Sequence, residues 1–184
     1  DPAIIAGQGT LGLGVLKQVP DLDAIVCPIG GGGLIAGIGV AVKALKPRVK
    51  IIGVESVATG NFAAAIRARK PVRVPRRPTL ADGLATLTVG ANAFALARSR
   101  VDRVVSATEN WVALAILRMI ELEKIVVEGA AAAPLAALMA GKLPELRGKR
   151  VALVVGGGNI DPAILSRVIE KGLVPSPEVD PARF

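Results

Sequence analysis

The sequence predicts an α/β protein: a mostly parallel twisted sheet with helices on both faces. Three observations carry this. Short aliphatic runs, Ala24–Cys27, Val49–Val54, Asp102–Val105 and Arg150–Val155, alternate with helix-compatible stretches. The first and last of these runs are apolar almost throughout rather than at every second residue, as strands covered on both faces require. Each of the same two runs also leads into a glycine cluster and then a helix start, at Gly30–Gly33 and at Gly156–Gly158.

Taken in order, Asp1 and Pro2 suit the cap and first turn of a helix. Ile4, Ile5, Leu11, Val15 and Leu16 offer it one apolar face. Gly7, Gly9, Gly12 and Gly14 weaken its propensity, and the polar Gln8 and Thr10 interrupt it, either as caps or as site-facing groups. The strand Ala24–Cys27, the glycine loop and a helix Leu34–Leu45 follow, with Pro47 ending the helix. The strand Val49–Val54 closes on Glu55 and completes a βαβ unit. Ligands of open parallel sheets sit beyond the carboxyl ends of the strands; Gly30–Gly33 and Glu55 both lie at such ends, so they should share one face of the sheet.

A short helix is expected over Asn61–Ala68, a basic irregular connector over Pro71–Pro78, and a polar turn over Thr79–Gly83, with Asp82 a turn residue. Gly90–Arg98 reads as a helix. Thr108 caps another that runs to Lys124 and places Val112, Ile116, Met119 and Ile120 at helical spacing, with Trp111 packing at its start. Val126-Val127-Glu128-Gly129 precedes a small-residue helix, Ala130–Ala140, with Pro134 in its early turns. After the last strand, Gly156-Gly157-Gly158-Asn159 repeats the opening grammar, and Asp161 and Pro162 start a helix to Lys171. Residues 174–184 read as a loose tail after a single unit over 1–173.

The strand–glycine–helix junction at Gly30–Gly33 suits an anion. Glycines let backbone amides approach a ligand, and the helix start adds unpaired donors and partial positive charge. A tight strand-to-helix turn is the simpler alternative, but four consecutive glycines exceed what such a turn needs.

Composition bounds the chemistry. The 184 residues are 52% hydrophobic with a mean hydropathy of +0.54, enough for one sizeable core. Aromatics make up 2%, and the absence of His excludes a Ser–His–Asp triad or His-bound zinc within this chain. Net charge is +8, with the densest basic run at Arg67–Arg77. That run has no aromatics for base stacking and no nucleic-acid reader motif, so it reads as a solvated loop. Cys27 stands alone, which fits a reducing compartment and, in a strand, a buried side chain. No stretch of about 18 uninterrupted apolar residues suggests a membrane span. A cytoplasmic protein without nucleic-acid or membrane partners is the expectation.

Six stretches stand in an order and spacing shared with one family: Asp1–Thr10, Pro28–Leu34, Gly53–Glu55, Thr79–Leu84, Val127–Gly129 and Gly156–Asp161. The chain resembles the fold-type II pyridoxal-phosphate enzymes, in the threonine/serine dehydratase and serine racemase branch. The resemblance runs to about Leu173 and implies the large-domain architecture of the tryptophan synthase β-like fold. It implies that Gly30, Gly31, Gly32 and Gly33, with Leu34, cradle the phosphate of pyridoxal 5'-phosphate. It places Glu128 beside the pyridine ring, Gly156 facing the ring nitrogen, and Asn159 in the adjoining turn. From the residues alone, capping of the following helix is the favoured role of Glu128, Glu55 could be an ordinary strand-end carboxylate, and Asn159 could equally be a turn residue.

The same resemblance implies a divalent cation, Mg²⁺ or Ca²⁺, held by Glu55, the Thr59 carbonyl and the Asn61 side chain. The implied reaction is dehydration and deamination of L-threonine or L-serine to a 2-oxo acid and ammonia; serine racemization is the alternative within the family. A non-catalytic homologue that binds an anion or a partner chain is the alternative outside it. Three departures are visible. The lysine that binds the cofactor covalently belongs, by resemblance, to an N-terminal Ser-Phe-Lys segment, and the phenylalanines here are Phe62, Phe94 and Phe184. The reading therefore expects the C-terminal half of the family pattern, without the small domain, without a catalytic lysine, inactive alone, and leaving apolar surface for the missing half or a second copy. Gly156 stands where Ser or Cys is usual, and Asn61 where an acidic ligand is usual, which weakens cation binding. Gly14 and Ala131 replace common Glu and Gly.

Overall fold

The computed structural model describes residues 1–172; the expected loose tail at 174–184 lies outside the described residues. Four parallel strands, β1 (Ala24–Pro28), β2 (Lys50–Ser56), β3 (Arg103–Ala107) and β4 (Val151–Leu153), form one sheet in the order β3-β2-β1-β4. Among the described residues seven α-helices accompany them: α1 (Pro2–Gln18), α2 (Gly33–Leu45), α3 (Asn61–Ala68), α4 (Ala91–Ala97), α5 (Glu109–Arg118), α6 (Gly129–Met139) and α7 (Pro162–Gly172). A π-helical turn, Met119–Glu123, prolongs α5 to the expected end near Lys124.

Strand periodicity divides the core. Along β1, Ala24 and Val26 face a cluster built with α5, α6 and α7, while Ile25 and Cys27 face one built with α1, α2 and α4. Both faces of the central strands β1 and β2 are thus covered, which explains their apolar runs, whereas the expected full burial of the last run does not hold: β4 lies at the sheet edge and is half-buried. Trp111 is half-buried against the first cluster. Burial raises the Cys27 thiol pKa far above its ordinary value, so this cysteine is a core residue.

The first helix departs from the sequence reading. It runs unbroken through Gln8 and Thr10, and Ile4 and Leu11 are exposed while Ile5 and Leu16 are buried. The reason lies in its glycines. A Cβ on Gly9 would sit 3.1 Å from the Gly37 carbonyl, and one on Gly12 would sit 3.0 Å from Val42 Cγ2. On the facing helix, a Cβ on Gly37 would come within 2.3 Å of the Ile5 carbonyl. Glycine here brings two helix backbones into near contact, and that packing overrides propensity.

The last strand is Val151–Leu153 rather than Arg150–Val155: Val154 still donates to the Val26 carbonyl at 2.9 Å, and the chain then leaves the sheet towards its glycines. Pro134 sits in the second turn of α6, where the Ala130 carbonyl loses its ladder donor without ending the helix.

Candidate functional site

In this strand order the chain moves from β1 to β2 on one side, while β4 returns to pair with β1 on the other. Such a reversal opens a crevice at the carboxyl ends of the two diverging strands. The loops that follow β1 and β4 are the two glycine clusters. Together they line a cavity of about 240 Å³, walled by Gly30–Gly33, Leu34, Gly83, Leu84, Glu128, Ala130, Ala131, Gly156 and Gly157. Larger concavities of about 590 and 510 Å³ lie elsewhere, among apolar side chains of α1, α2 and α4 and beside β4. Both are lined mainly by apolar side chains, and a third of about 440 Å³, with Asp23, Lys50, Asp102 and Arg103 in its lining, lies at the amino ends of the strands; the smaller cavity is the one at the carboxyl ends, where ligands of parallel sheets sit.

Two helix N-termini meet in it. Gly32 adopts φ +86° at the start of α2, a left-handed conformation suited to glycine, and no side chain caps the helix. The first amide bonded back towards Gly32 is that of Ala36, so the amides of Gly33, Leu34 and Ile35 precede the ladder. Opposite, α6 begins at Gly129 and its ladder opens with Ala132 donating to Glu128, placing Ala130 and Ala131 at the cavity wall. Both dipoles present their positive ends to the same space, which favours an anion.

The walls are set by close approach. A Cβ on Gly30 would lie 2.9 Å from the Gly83 carbonyl. A Cβ on Gly157 would lie 2.6 Å from the Glu128 carboxylate. Gly31, Gly33 and Gly156 meet nothing within 4 Å and leave their side open.

Glu128 stands at the N-cap position of α6, yet its side chain does not cap the helix. Its Oε2 accepts from the Asn159 amide at 3.1 Å, and its own amide donates to the Gly157 carbonyl at 3.1 Å. Glu128 and the Gly156–Asn159 turn are therefore one hydrogen-bonded unit on the cavity rim.

The residues expected to hold a cation lie next to the glycine loop. Glu55 is buried, and its Oε2 accepts from the Phe62 and Ala63 amides at 3.0 and 3.3 Å, capping α3 from a distance. Burial raises its pKa above the ordinary carboxylate range, against the opposing pull of those amides and of Arg67. Asn61 Nδ2 donates to the Gly30 carbonyl (3.1 Å), the Thr86 carbonyl (3.1 Å) and Thr86 Oγ1 (2.6 Å). Asn61 Oδ1 and Thr59 Oγ1 are buried without a partner. Among the described residues no group of three His, Cys, Asp or Glu side chains is placed to hold a metal ion.

Sequence reasoning missed Gly83, Leu84, Ala130 and Ala131 as cavity walls. The signal available for the first two was the Thr79–Leu84 stretch, which read as a polar turn and as one of the six family stretches without a site role, and which forms a short 3₁₀ turn at Asp82–Leu84. No helix among the described residues is long and apolar enough to cross a membrane.

Comparison with known proteins agrees with this geometry. Residues 1–157 match the family described as "Pyridoxal-phosphate dependent enzyme". The chain is 46% identical over 176 residues to an L-threonine ammonia-lyase of Thermotoga maritima, covering 96% of this chain and 43% of that protein. It is 49% identical over 174 residues to an L-threonine ammonia-lyase of Geobacter sulfurreducens, covering 95% and 43%. The chain thus spans under half the length of these curated relatives. Among solved structures, the processed form of threonine deaminase isoform 2 from Solanum lycopersicum superposes with a TM-score of 0.85 at 31% identity, over 92% of this chain and 50% of that one. Maize serine racemase gives a TM-score of 0.82 at 33% identity, over 91% and 54%. With the parallel sheet, the glycine-walled crevice and the family match over residues 1–157 all in place, the chain belongs to the pyridoxal-phosphate dependent enzyme family.

Proposed function

We propose that this chain is the pyridoxal-phosphate-binding portion of a threonine/serine ammonia-lyase, a protein that converts L-threonine or L-serine to a 2-oxo acid and ammonia. The observation that carries the reading is the crevice between β1 and β4, where two helix N-termini and the Gly30–Gly33 backbone converge. The steric test supports it: Gly31 and Gly33 leave open space, as a phosphate seated on backbone amides requires. In this reading Gly30–Gly33 and Leu34 hold the phosphate, Glu128 borders the ring, and Gly156 and Asn159 close the far side. Pyridoxal phosphate, when bound, supplies the electron sink for the reaction. The chain's own residues bind and orient it.

A weak cation site at Glu55, the Thr59 carbonyl and the Asn61 side chain is supported by the burial of Glu55 and by the partnerless, buried Asn61 Oδ1. A shift in melting temperature with Mg²⁺ or Ca²⁺ tests it. Exposed Leu122, Ile125 and Val126, beside the apolar concavity next to β4, support a covering partner, either the remaining length of a full-size relative or a second copy. A cytoplasmic location accords with the lone, buried thiol of Cys27.

Equilibrium dialysis of the chain against pyridoxal phosphate tests the binding reading; no uptake overturns it. Threonine turnover is expected to be little or none for these 184 residues by themselves. It should appear when a lysine-bearing N-terminal half of a relative is added. Failure of both folded halves to associate would favour the non-catalytic alternative.

A further inference from the structure

One wall of the crevice is the segment 79–84, and it is gripped by a carboxylate that no motif singles out. Glu109 is the first residue of α5. Its Oε1 accepts from Thr79 Oγ1 at 2.6 Å and from Ser56 Oγ at 3.4 Å. Its Oε2 accepts from the Leu80 amide at 2.6 Å. Thr79 Oγ1 in turn accepts from the Ala81 amide at 3.1 Å. An acid in a first helical turn ordinarily serves its own helix, but both oxygens of Glu109 are committed to other segments. Charge-assisted bonds of this kind are the stronger ones.

The gripped segment has no slack. A Cβ on Gly129 would lie 2.1 Å from the Leu80 carbonyl, so the segment presses on the start of α6. A Cβ on Gly83 would lie 3.0 Å from Ala130 Cβ, and one on Gly30 would lie 2.9 Å from the Gly83 carbonyl. Gly83 and Leu84 face the cavity between these contacts. A displacement at Thr79 or Leu80 is thus passed to Gly83, and from there to the Gly30 edge of the glycine loop.

We propose that Glu109 is a positioning residue for the cofactor cup: its carboxylate fixes the segment 79–84, and through Gly83 and Leu84 sets the wall against which Gly30–Gly33 holds its anion. This rests on the proposed function for the identity of the anion, but the clamp itself can be read without any ligand.

The experiment pairs amide hydrogen exchange with pyridoxal phosphate affinity for the 184-residue chain, Glu109→Ala, Glu109→Gln, Thr79→Val and a Glu121→Ala control on the continuation of the same helix. Glu109→Ala should speed exchange at Leu80 and Leu84 about tenfold relative to the strand amides of Val26 and Ile52, and weaken pyridoxal phosphate binding by a similar factor. Glu109→Gln, which keeps one acceptor oxygen, should recover part of both, and Glu121→Ala should change neither. Thr79→Val should act in the same direction, and in the Glu109→Ala background it should add less than it does alone, because there only its bonds to the Ala81 amide and Ser56 Oγ remain to be lost. Unchanged exchange in Glu109→Ala, or faster exchange with unchanged affinity, overturns the clamp. Failure of the unmutated chain to bind pyridoxal phosphate overturns the cofactor reading instead, whatever the exchange shows.

Discussion

The Glu128 carboxylate accepts a hydrogen bond from the Asn159 amide at 3.1 Å, tying the head of α6 to the turn that follows the last strand. These residues are 31 positions apart. The bond holds a negative charge at the edge of a crevice whose floor, made of helix N-termini, is positive. The crevice therefore has a polarity: in the proposed reading it takes the phosphate at the glycine loop and a group able to face a carboxylate on the opposite rim.

Two glycines of that turn should respond differently to substitution. Gly156→Ser places its side chain in open space, so stability should change by less than about 0.5 kcal/mol. The new hydroxyl lies on the cavity wall and should tighten pyridoxal phosphate binding. Gly157→Ala puts a Cβ against the end of the Glu128 side chain, which can swing away at small cost in stability. That swing breaks the bond to Asn159 and should weaken binding. Thermal melts combined with dialysis separate the two.

The helix pair α1–α2 offers a sharper contrast. Gly37→Ala drives a Cβ into backbone atoms of Ile5 and Gly9, which cannot rotate away, and should cost about 3 kcal/mol or more. Gly7→Ala and Gly14→Ala meet nothing within 4 Å and should each stabilise by roughly 0.5–1 kcal/mol, the ordinary helix preference for alanine over glycine. Urea denaturation midpoints test both directions.

Glu55 gives a pH signature. Its pKa is raised by burial, so the folded chain holds this proton more tightly than the unfolded chain does. Its contribution is fully present below the ordinary glutamate pKa and is lost as pH rises through the folded value. The stability difference between the parent chain and Glu55→Gln should therefore move against the parent as pH rises through that window. A difference independent of pH would show that the burial of Glu55 has no effect on its ionisation.

Asp102 should behave oppositely. Burial opposes its ionisation, but the Ile51 amide at 2.8 Å and the ammonium groups of Lys43 and Lys50, at 2.7 and 3.2 Å, outweigh it and lower its pKa. Its contribution is present above the ordinary aspartate pKa and is lost as pH falls through the depressed value. Asp102→Asn should cost about 1 kcal/mol at pH 7, after allowance for solvent screening, and nearly nothing below that window. Denaturation at the two pH values measures the difference.

The strands and most helices were legible because apolar runs and glycine punctuation report local requirements. Gly30–Gly33 and Gly156–Gly157 were legible as loops, and their meeting followed from the rule for parallel sheets once β4 was seen beside β1. The continuity of α1 was hidden because glycine weakens an isolated helix, whereas Gly9 and Gly12 serve contacts with a helix about 30 residues away. Gly83 was hidden for a related reason: a turn motif states its own conformation, not which cavity it walls. Glu109 carried no sequence signal because an acidic residue at a helix start is ordinary, and only its partners, Thr79 and Leu80, make it unusual.

The strand order also bears on when the crevice can exist during folding. Its two glycine loops are separated by well over a hundred residues, and they become neighbours only when β4 docks beside β1. Docking the last strand on the first is the most non-local pairing in the sheet, and such pairings are slow to form. A partly assembled chain that already holds β1, α2 and β2 thus has the Gly30–Gly33 half of the cup and no opposite wall. Any ligand that needs both walls adds its stabilisation only to the completed sheet, and so acts as a latch on the last step of assembly.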